Sequence, residues 1–408
     1  MIPWPSQVQC AKEAYDVLRQ YGLVYIAGEE RTGKLLASIV TAELCSNVTN
    51  VLVLTTKKAI EGWYDTLSKY SATVNIEPHT YHSAHKAEGQ YDLVILDECH
   101  NYLSAFPKAG GIWRKVRKIV YGLPIIYTSA TPHPEGQQQL YHQFALSAWS
   151  PWKKYSSAYA WWKRYGLEEY TYVYSQRVKQ YKQIEDPDEL KKTYAHLMIT
   201  KTRKELGFEF EPEDKLHYIE LEEATRNSYN ELMKKKILTF QDGNVVVGDT
   251  PMKLHTLLHQ IEGGGIKVTR IDEVKKKKLT EPFVLSNTEK IDYIKNVWGD
   301  TEDMAIMYNY LSEGIKLRSH FTYAAILQGD THAEGVDLSH IKHLIIYSQN
   351  FRTSKYIQRR ARQANKYRTE PIIVHYLLVE GAISDQVYES VAIKKKNFTD
   401  SVFMAKEL

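Results

Sequence analysis

Two rhythms alternate along the chain. Short apolar runs, "GLVYIA" (22–27), "VLVLTT" (51–56), "YDLVILDECH" (91–100) and "LPIIYTSATP" (123–132), read as buried strands. Between them "VQCAKEAYDVLRQ" (8–20), "KLLASIVTAELC" (34–45) and "KAIEGWYDTLSKY" carry the spacing of helices. Apolar strands alternating with helices predict a parallel α/β sheet, with ligands expected at the carboxyl ends of its strands, where the polar residues gather. Residues 148 to 250 break the rhythm: they are aromatic, charged and mostly helical in pattern. "EGGGIKV" (262–268) and "EVKKKKLTEP" (273–282) read as loops or hairpin turns. From about 283 the α/β rhythm returns, with "KIDYIKNVW" and "SEGIKLRSHF" as helices. "MAIMYNY" (304–310), "YAAILQG" (323–329), "HLIIYSQ" (343–349) and "PIIVHYLLV" (371–379) read as strands. The expectation is an α/β protein of two parallel-sheet lobes, 1–147 and 283–408, the second closing with a C-terminal helix. A helical, aromatic-rich insert, 148–282, is expected between them.

Composition narrows this little. Hydrophobic residues make up 43% and charged residues 25% of 408, an ordinary globular profile, and the net charge is +4, so any basic surface must be local. The cysteines (Cys10, Cys45, Cys99) form no C-x-x-C pair, which argues against a metal-thiolate site or a disulfide framework and fits a reducing cytoplasm. The start "MIPWPSQVQC" has no export signal and no run is long enough to span a membrane, so a cytoplasmic location with no membrane partner is expected.

The chemistry concentrates at strand ends. Gly28, Gly33 and Lys34 have the spacing G-x-x-x-x-G-K between a strand and a helix. There, backbone N–H groups and a helix N-terminus cradle phosphates and the lysine reaches the β/γ oxygens; Arg31 and Thr32 complete this candidate cofactor-binding loop. Leu35 stands where a Ser or Thr would touch magnesium. A glycine turn beside a surface lysine is the competing reading. "LVILDECH" delivers Asp97 and Glu98 together: Asp97 for magnesium, directly or through water, and Glu98 to orient and deprotonate an attacking water. Both are the candidate metal residues. A strand-end acidic pair capping a loop is the alternative.

"DECH" followed by "TSAT" resembles motifs II and III of superfamily 2 helicases and translocases, and the resemblance runs from residue 5 to about 380. Pro5–Gln7 resembles the upstream glutamine element, which implies adenine recognition by Gln7. "VLVLTTK", with Thr55, Thr56 and Lys57, resembles motif Ia, which implies contact with the nucleic-acid backbone. "GDTHAEGVDLS" (329–339) resembles motif V and "YIQRRARQANKYR" (356–368) motif VI. "GEERTGK", "SATPHPEGQQQLYHQF", "MITKTRKELGF", "GGGIKV" and "RARQANKYR" are most similar to Swi/Snf-like DNA helicases of tailed bacteriophages. The resemblance implies two RecA-like lobes, ATP with Mg2+, and a monomeric motor on single-stranded, forked or four-way DNA in phage replication and recombination, located in the bacterial host cytoplasm. It assigns His100, Ser129 and Thr131 to coupling, Gly335 and Asp337 to the cleft, Gln358 to motif VI and Arg362 to the arginine finger. Asn365 replaces the second arginine of that motif; Arg359, also a candidate cofactor contact, Lys366 or Arg368 are the possible substitutes. A solvated basic helix face is the plain alternative.

Thirty tyrosines and eight tryptophans are unevenly spread, and 149–182 mixes eleven of these residues with lysine and arginine. Such a mixture suits a nucleic-acid track or a strand-separating wedge, with Lys163 and Arg164 as candidate DNA contacts. Trp152, Tyr155, Tyr159 and Trp162 nevertheless share one helical face, which favours packing for that stripe. Lys201 and Arg203 in "ITKTRKELGF", together with the "VKKKK" run, are further candidate phosphate contacts. An RNA helicase, or a weak or inactive ATPase acting as a DNA-binding scaffold, are the other readings.

Overall fold

The computed structural model of the chain describes residues 1–173, 176–240, 243–272, 277–329 and 336–394. It divides into two compact units, Met1–Phe208 and Glu209–Leu408. The first holds β1 (Leu23–Gly28), β2 (Asn50–Thr55), β3 (Asn75–Thr80), β4 (Leu93–Asp97), β5 (Ile125–Thr128) and β8 (Met198–Lys201), with β6 (Glu169–Val173) and β7 (Gln176–Gln180) forming a separate antiparallel hairpin. The six strands make a parallel sheet in the order β3-β2-β4-β5-β1-β8.

Both faces of this sheet are covered, which is why its four central strands β2, β4, β5 and β1 are mostly apolar. Val24, Ile26, Val51, Val53, Ile95 and Ile126 pack against Cys10, Ala14 and Leu18 of helix Pro5–Tyr21, Ala37 and Ile39 of helix Lys34–Glu43, and Trp63 of helix Ile60–Lys69. Alternate residues Leu23, Tyr25, Leu52, Leu54, Leu96 and Tyr127 face a second cluster with Val116 and Val120 of helix Gly111–Val120, Phe144, and the tryptophans of the aromatic stretch. Trp152, Trp161 and Trp162 are buried there and Tyr155 is half-buried; Tyr159 is exposed. The expected stripe is therefore packing at three of its four positions. Trp161, outside that stripe, is more deeply buried than any of them.

The second unit holds β9 (Pro212–Tyr218), two antiparallel pairs, β10 (Ile237–Thr239) with β11 (Val245–Val247) and β12 (Gly265–Asp272) with β13 (Lys277–Val284), and β14 (Met304–Tyr308), β15 (Ala325–Gln328), β16 (His343–Ile346) and β17 (Ile372–Leu378). Its parallel sheet has the order β15-β14-β16-β17-β9. The expected fold class, two parallel-sheet α/β lobes with an aromatic-rich segment between them in sequence, is the one observed.

The stretch 148–282 is shared out more finely than its composition implies. β8 extends the first sheet, β9 extends the second, and strand pairs interleave with its helices. Edge strands such as "MITK" and "PEDKLHY" carry no apolar run because one flank has no strand and their pairing is made by backbone groups. Among the described residues no helix is long and apolar enough to cross a membrane.

Candidate nucleotide site

At the carboxyl edge of the first sheet β1 ends on Gly28, and the chain turns through 29–33 into helix Lys34–Glu43. Arg31 (φ 67°) and Gly33 (φ 78°) take left-handed backbone. A Cβ on Gly33 would stand 2.0 Å from Gln7 Nε2, and one on Gly28 would stand 2.6 Å from Thr32 Oγ1. Any larger residue would push Gln7 or Thr32 aside, and at Gly33 it would also have to take a left-handed backbone. Gln7 fastens the loop from helix Pro5–Tyr21: its Nε2 donates to Gly33 O (3.3 Å) and its Oε1 accepts from Trp4 N (2.7 Å). Lys34 Nζ and Thr32 Oγ1 both donate to Glu29 O, at 2.9 and 2.7 Å. The helix has no side-chain cap, so its first-turn N–H groups are the donors that an anion at the loop would meet. Leu35 packs against the apolar cluster of Ala37, Ile39 and Trp63. The position of the missing hydroxyl serves the core instead.

β4 lies one strand from β1, across β5. Asp97 is buried and held by three donors: Thr55 Oγ1 (2.8 Å) and Trp63 Nε1 (3.0 Å) on Oδ2, and Thr128 Oγ1 (2.7 Å) on Oδ1. A carboxylate offers roughly four lone-pair sites, so little of Asp97 is left for a metal's direct coordination. Glu98 follows at φ 46°, with its side chain 20% exposed. Its Oε2 lies 3.4 Å from both Ser129 Oγ and His100 Nδ1. Ser129 Oγ hydrogen-bonds His100 Nδ1 at 2.8 Å and accepts Thr131 N–H at 3.1 Å, while Thr131 Oγ1 meets His100 Nε2 at 3.4 Å. The fold thus gathers Glu98, His100, Ser129 and Thr131 into one contact set.

Three residues of this site had no role assigned from the sequence. Tyr81 OH donates to Asp97 O (2.9 Å) and Trp63 holds the carboxylate. Gln143, wholly buried, accepts from Tyr25 OH and Cys99 Sγ and donates to Ser104 Oγ and Pro132 O, tying the "DECH" loop to the loop after "SAT". Tyrosines inside otherwise aliphatic strands (Tyr25, Tyr127) were the sequence signal for a buried polar knot. Burial raises the Cys99 thiol above its ordinary range, so it sits there neutral.

In the second unit Gln358 and Arg359 are buried on helix Thr353–Arg360, and Arg362 is half-buried in the following turn. Gln358 Oε1 accepts from Lys355 Nζ (3.3 Å). Arg359 is fully buried; its guanidinium donates to Ser348 O and Asn309 Oδ1 and lies against Gly329. Arg368 donates to Ser339 O, Ile341 O and Glu370 O. Arg359 and Arg368, candidate replacements for the arginine absent at Asn365, are therefore engaged in internal contacts. Asp337 Oδ1 accepts Ser339 N–H (3.1 Å), and Gly335 lies outside the described residues.

The expected nucleic-acid residues separate. Lys57 and Lys163 are exposed. Arg164 is exposed but paired with Glu189, and Lys201 pairs with Glu13 at 2.7 Å. Thr55 is not on a DNA face: it is wholly buried and spent on Asp97, and Thr56, also buried, accepts Ala59 N–H at 3.2 Å. Arg203 is buried and faces Glu29 (3.8 Å) and Glu30 (3.5 Å), so its charge braces the nucleotide loop. Sequence marked these as cations and hydroxyls without showing the acids opposite them. Tyr174 and the lysine run at 275–276 lie outside the described residues.

The donor set fits a nucleoside triphosphate with magnesium: a glycine cradle, an uncapped helix start, one amine and two adjacent carboxylates. No protein-family model matches the chain, and no curated protein matches it. Among solved structures it is similar to the Sulfolobus solfataricus SWI2/SNF2 ATPase core in complex with dsDNA (14% identity, 96% of this chain and 91% of that chain, TM-score 0.43). It is also similar to the SWI2/SNF2 ATPase core domain of that organism (14% identity, 100% and 94%, TM-score 0.42).

Proposed function

We propose that the chain is an ATP-driven DNA translocase or helicase that remodels forked or four-way DNA. The observation that carries this is the convergence, at one sheet edge, of the Gly28–Lys34 loop, the Asp97–Glu98 pair and the Ser129–His100–Thr131 contacts. ATP supplies a transferable γ-phosphoryl group, and magnesium neutralises charge on its oxygens. Lys34 and the first-turn N–H groups bind the phosphates. Gln7 holds the loop's shape, and the motif resemblance assigns it adenine recognition. Asp97, with its oxygens mostly engaged, would hold the metal through its water shell; Glu98, the more open of the pair, takes the proton of the attacking water. A change at Glu98 is felt at once by Ser129 and His100, which gives hydrolysis a mechanical outlet. The motif resemblance gives Arg362 the role of arginine finger and assigns Gln358 and Asp337 to the same nucleotide chemistry. The branched-DNA preference, the monomeric state and a role in phage replication and recombination in a bacterial cytoplasm come from the motif resemblance.

ATP turnover measured with and without single-stranded, duplex, forked and four-way DNA, and with RNA, tests the reading. Stimulation by DNA, abolished in Lys34→Ala, is expected. Absence of stimulation by any DNA, or equal turnover in Lys34→Ala, would sink it.

A further inference from the structure

A second concave surface lies in the first unit. It is a groove of about 710 Å³ bounded by helix Gly111–Val120 and the segment leading into helix Ala158–Tyr165, and it shares no residue with the nucleotide site. Acids and bases nearly balance over the whole chain, at 49 and 53. Of the twenty residues lining this groove none is acidic, while Lys108, Arg114, Arg117 and Lys153 all face it. None of these four pairs with a carboxylate among the described residues. Bare cations left together in a cleft mark it as a receptor for a polyanion.

The aromatic residues decide which polyanion. Tyr121 and Tyr159 line the groove and remain 55% and 47% exposed. Arg117, donating to Ala145 O, lies over Tyr121 (4.5 Å) and Trp113 (5.3 Å), and Trp113 Nε1 is fixed to His142 O (2.6 Å). Open rings beside phosphate-binding cations suit unpaired bases, whose π-faces they can stack on; an acidic protein surface would leave the rings unused. The volume is that of a small-ligand cleft, roughly 300–1,000 Å³, and a duplex hides its base faces.

We propose that this groove binds single-stranded nucleic acid, with Lys108, Arg114 and Lys153 on the phosphates and Tyr121 and Tyr159 stacked on bases. It deepens the proposed DNA motor by placing a strand-holding site on the first unit, away from the motif residues. The test is therefore made with no nucleotide present, so that a failed ATPase and a failed groove are told apart.

Binding of a labelled oligothymidylate to the full chain is measured by fluorescence anisotropy across a salt series. The triple variant Lys108→Gln/Arg114→Gln/Lys153→Gln is expected to weaken binding at least about tenfold and to flatten the slope of log K against log salt by about 2, at roughly 0.7 per lost phosphate contact. Tyr121→Ala is expected to cost about tenfold with the slope unchanged. Lys115→Gln/Lys118→Gln, on the same helix but outside the groove, serves as the control for general charge. Ultraviolet crosslinking of a bromodeoxyuridine oligomer to peptides spanning 107–121 or 147–159 supplies a positive signal independent of any variant. The proposal is overturned if the triple variant binds like the parent or the control loses as much. It is equally overturned if duplex DNA or oligoglutamate displaces the single strand at equal concentration, or if the chain binds no single strand.

Discussion

Asp97 and Leu35 would set the terms for a metal at the proposed nucleotide site. Thr55 and Trp63 fill one carboxylate oxygen of Asp97 and Thr128 engages the other. Thr55→Val keeps the shape but leaves a buried carboxylate short of a donor, and urea unfolding should show a loss of about 1–3 kcal/mol. Leu35→Thr returns a hydroxyl to the loop at the expense of apolar contact with the Ile39 and Trp63 cluster. We expect half-maximal ATPase at lower magnesium together with a modest fall in stability; unchanged magnesium dependence would mean another group already fills that role. At Gly33 two penalties add, a φ of 78° and a Cβ 2.0 Å from Gln7 Nε2. Gly33→Ala should lower nucleotide affinity by tenfold or more, as read by a fluorescent ATP analogue, because left-handed backbone costs roughly 1–2 kcal/mol and the loop must shift.

At the scale of elements, glycines with the same letter do different work. Gly263, Gly264 and Gly265 let the entry to β12 lie on helix Leu311–His320: Cβ atoms there would meet Glu313 Oε1 at 2.0 Å, Lys316 Nζ at 2.5 Å and Ser312 Oγ at 2.5 Å. Glu313 is fully buried, accepting Asn309 N–H, Tyr310 N–H and Ser348 Oγ–H, so it has little freedom to yield. Gly263→Ala should therefore destabilise the second unit by about 1–3 kcal/mol. Gly62, inside helix Ile60–Lys69, has nothing within 4 Å of its would-be Cβ, and Gly62→Ala should stabilise by about 0.5–1 kcal/mol. Thermal melts of the two variants should move in opposite directions. The run "EGGGIKV" read as a loop or hairpin turn; close packing against a helix from elsewhere in the chain is not written in a local pattern.

Over the whole molecule, buried ionisable groups in the second unit shape the pH response. Burial lowers His255 to about 4 and His259 and His375 to about 3, the last also pressed by His217 and His343. An unfolded histidine titrates near 6.5, so between these values the unfolded chain binds more protons. The histidine contribution is complete above about pH 6.5 and falls away toward 3. Burial raises Glu262 and Glu313 to about 7, so their contribution has the opposite sign, greatest below 4.5 and lost as pH rises through 7. The two sets offset each other from 4.5 to 6.5, and stability should drop most steeply below 4.5, where the histidines act without that offset. His255→Leu should reduce the proton uptake of unfolding between pH 4 and 6.5 by about one, measured from urea midpoints against pH.

The apolar strands, the helices between them, the glycine loop after β1 and the acidic pair at the end of β4 were legible in the sequence because each is a local pattern: strands covered on both faces are mostly apolar, and a tight strand-to-helix turn needs glycine at fixed spacing. Tertiary structure decided what depends on neighbours far along the chain. It put Trp63, Tyr81 and Gln143 behind the acidic loop, turned Arg203 and Thr55 inward, and added the polar strands β8 and β9 to sheet edges by backbone pairing together with side-chain contacts to residues far along the chain. It also left Lys108, Arg114, Arg117 and Lys153 facing one groove with no acid opposite. The sequence states which charges exist; only the fold decides which of them meet.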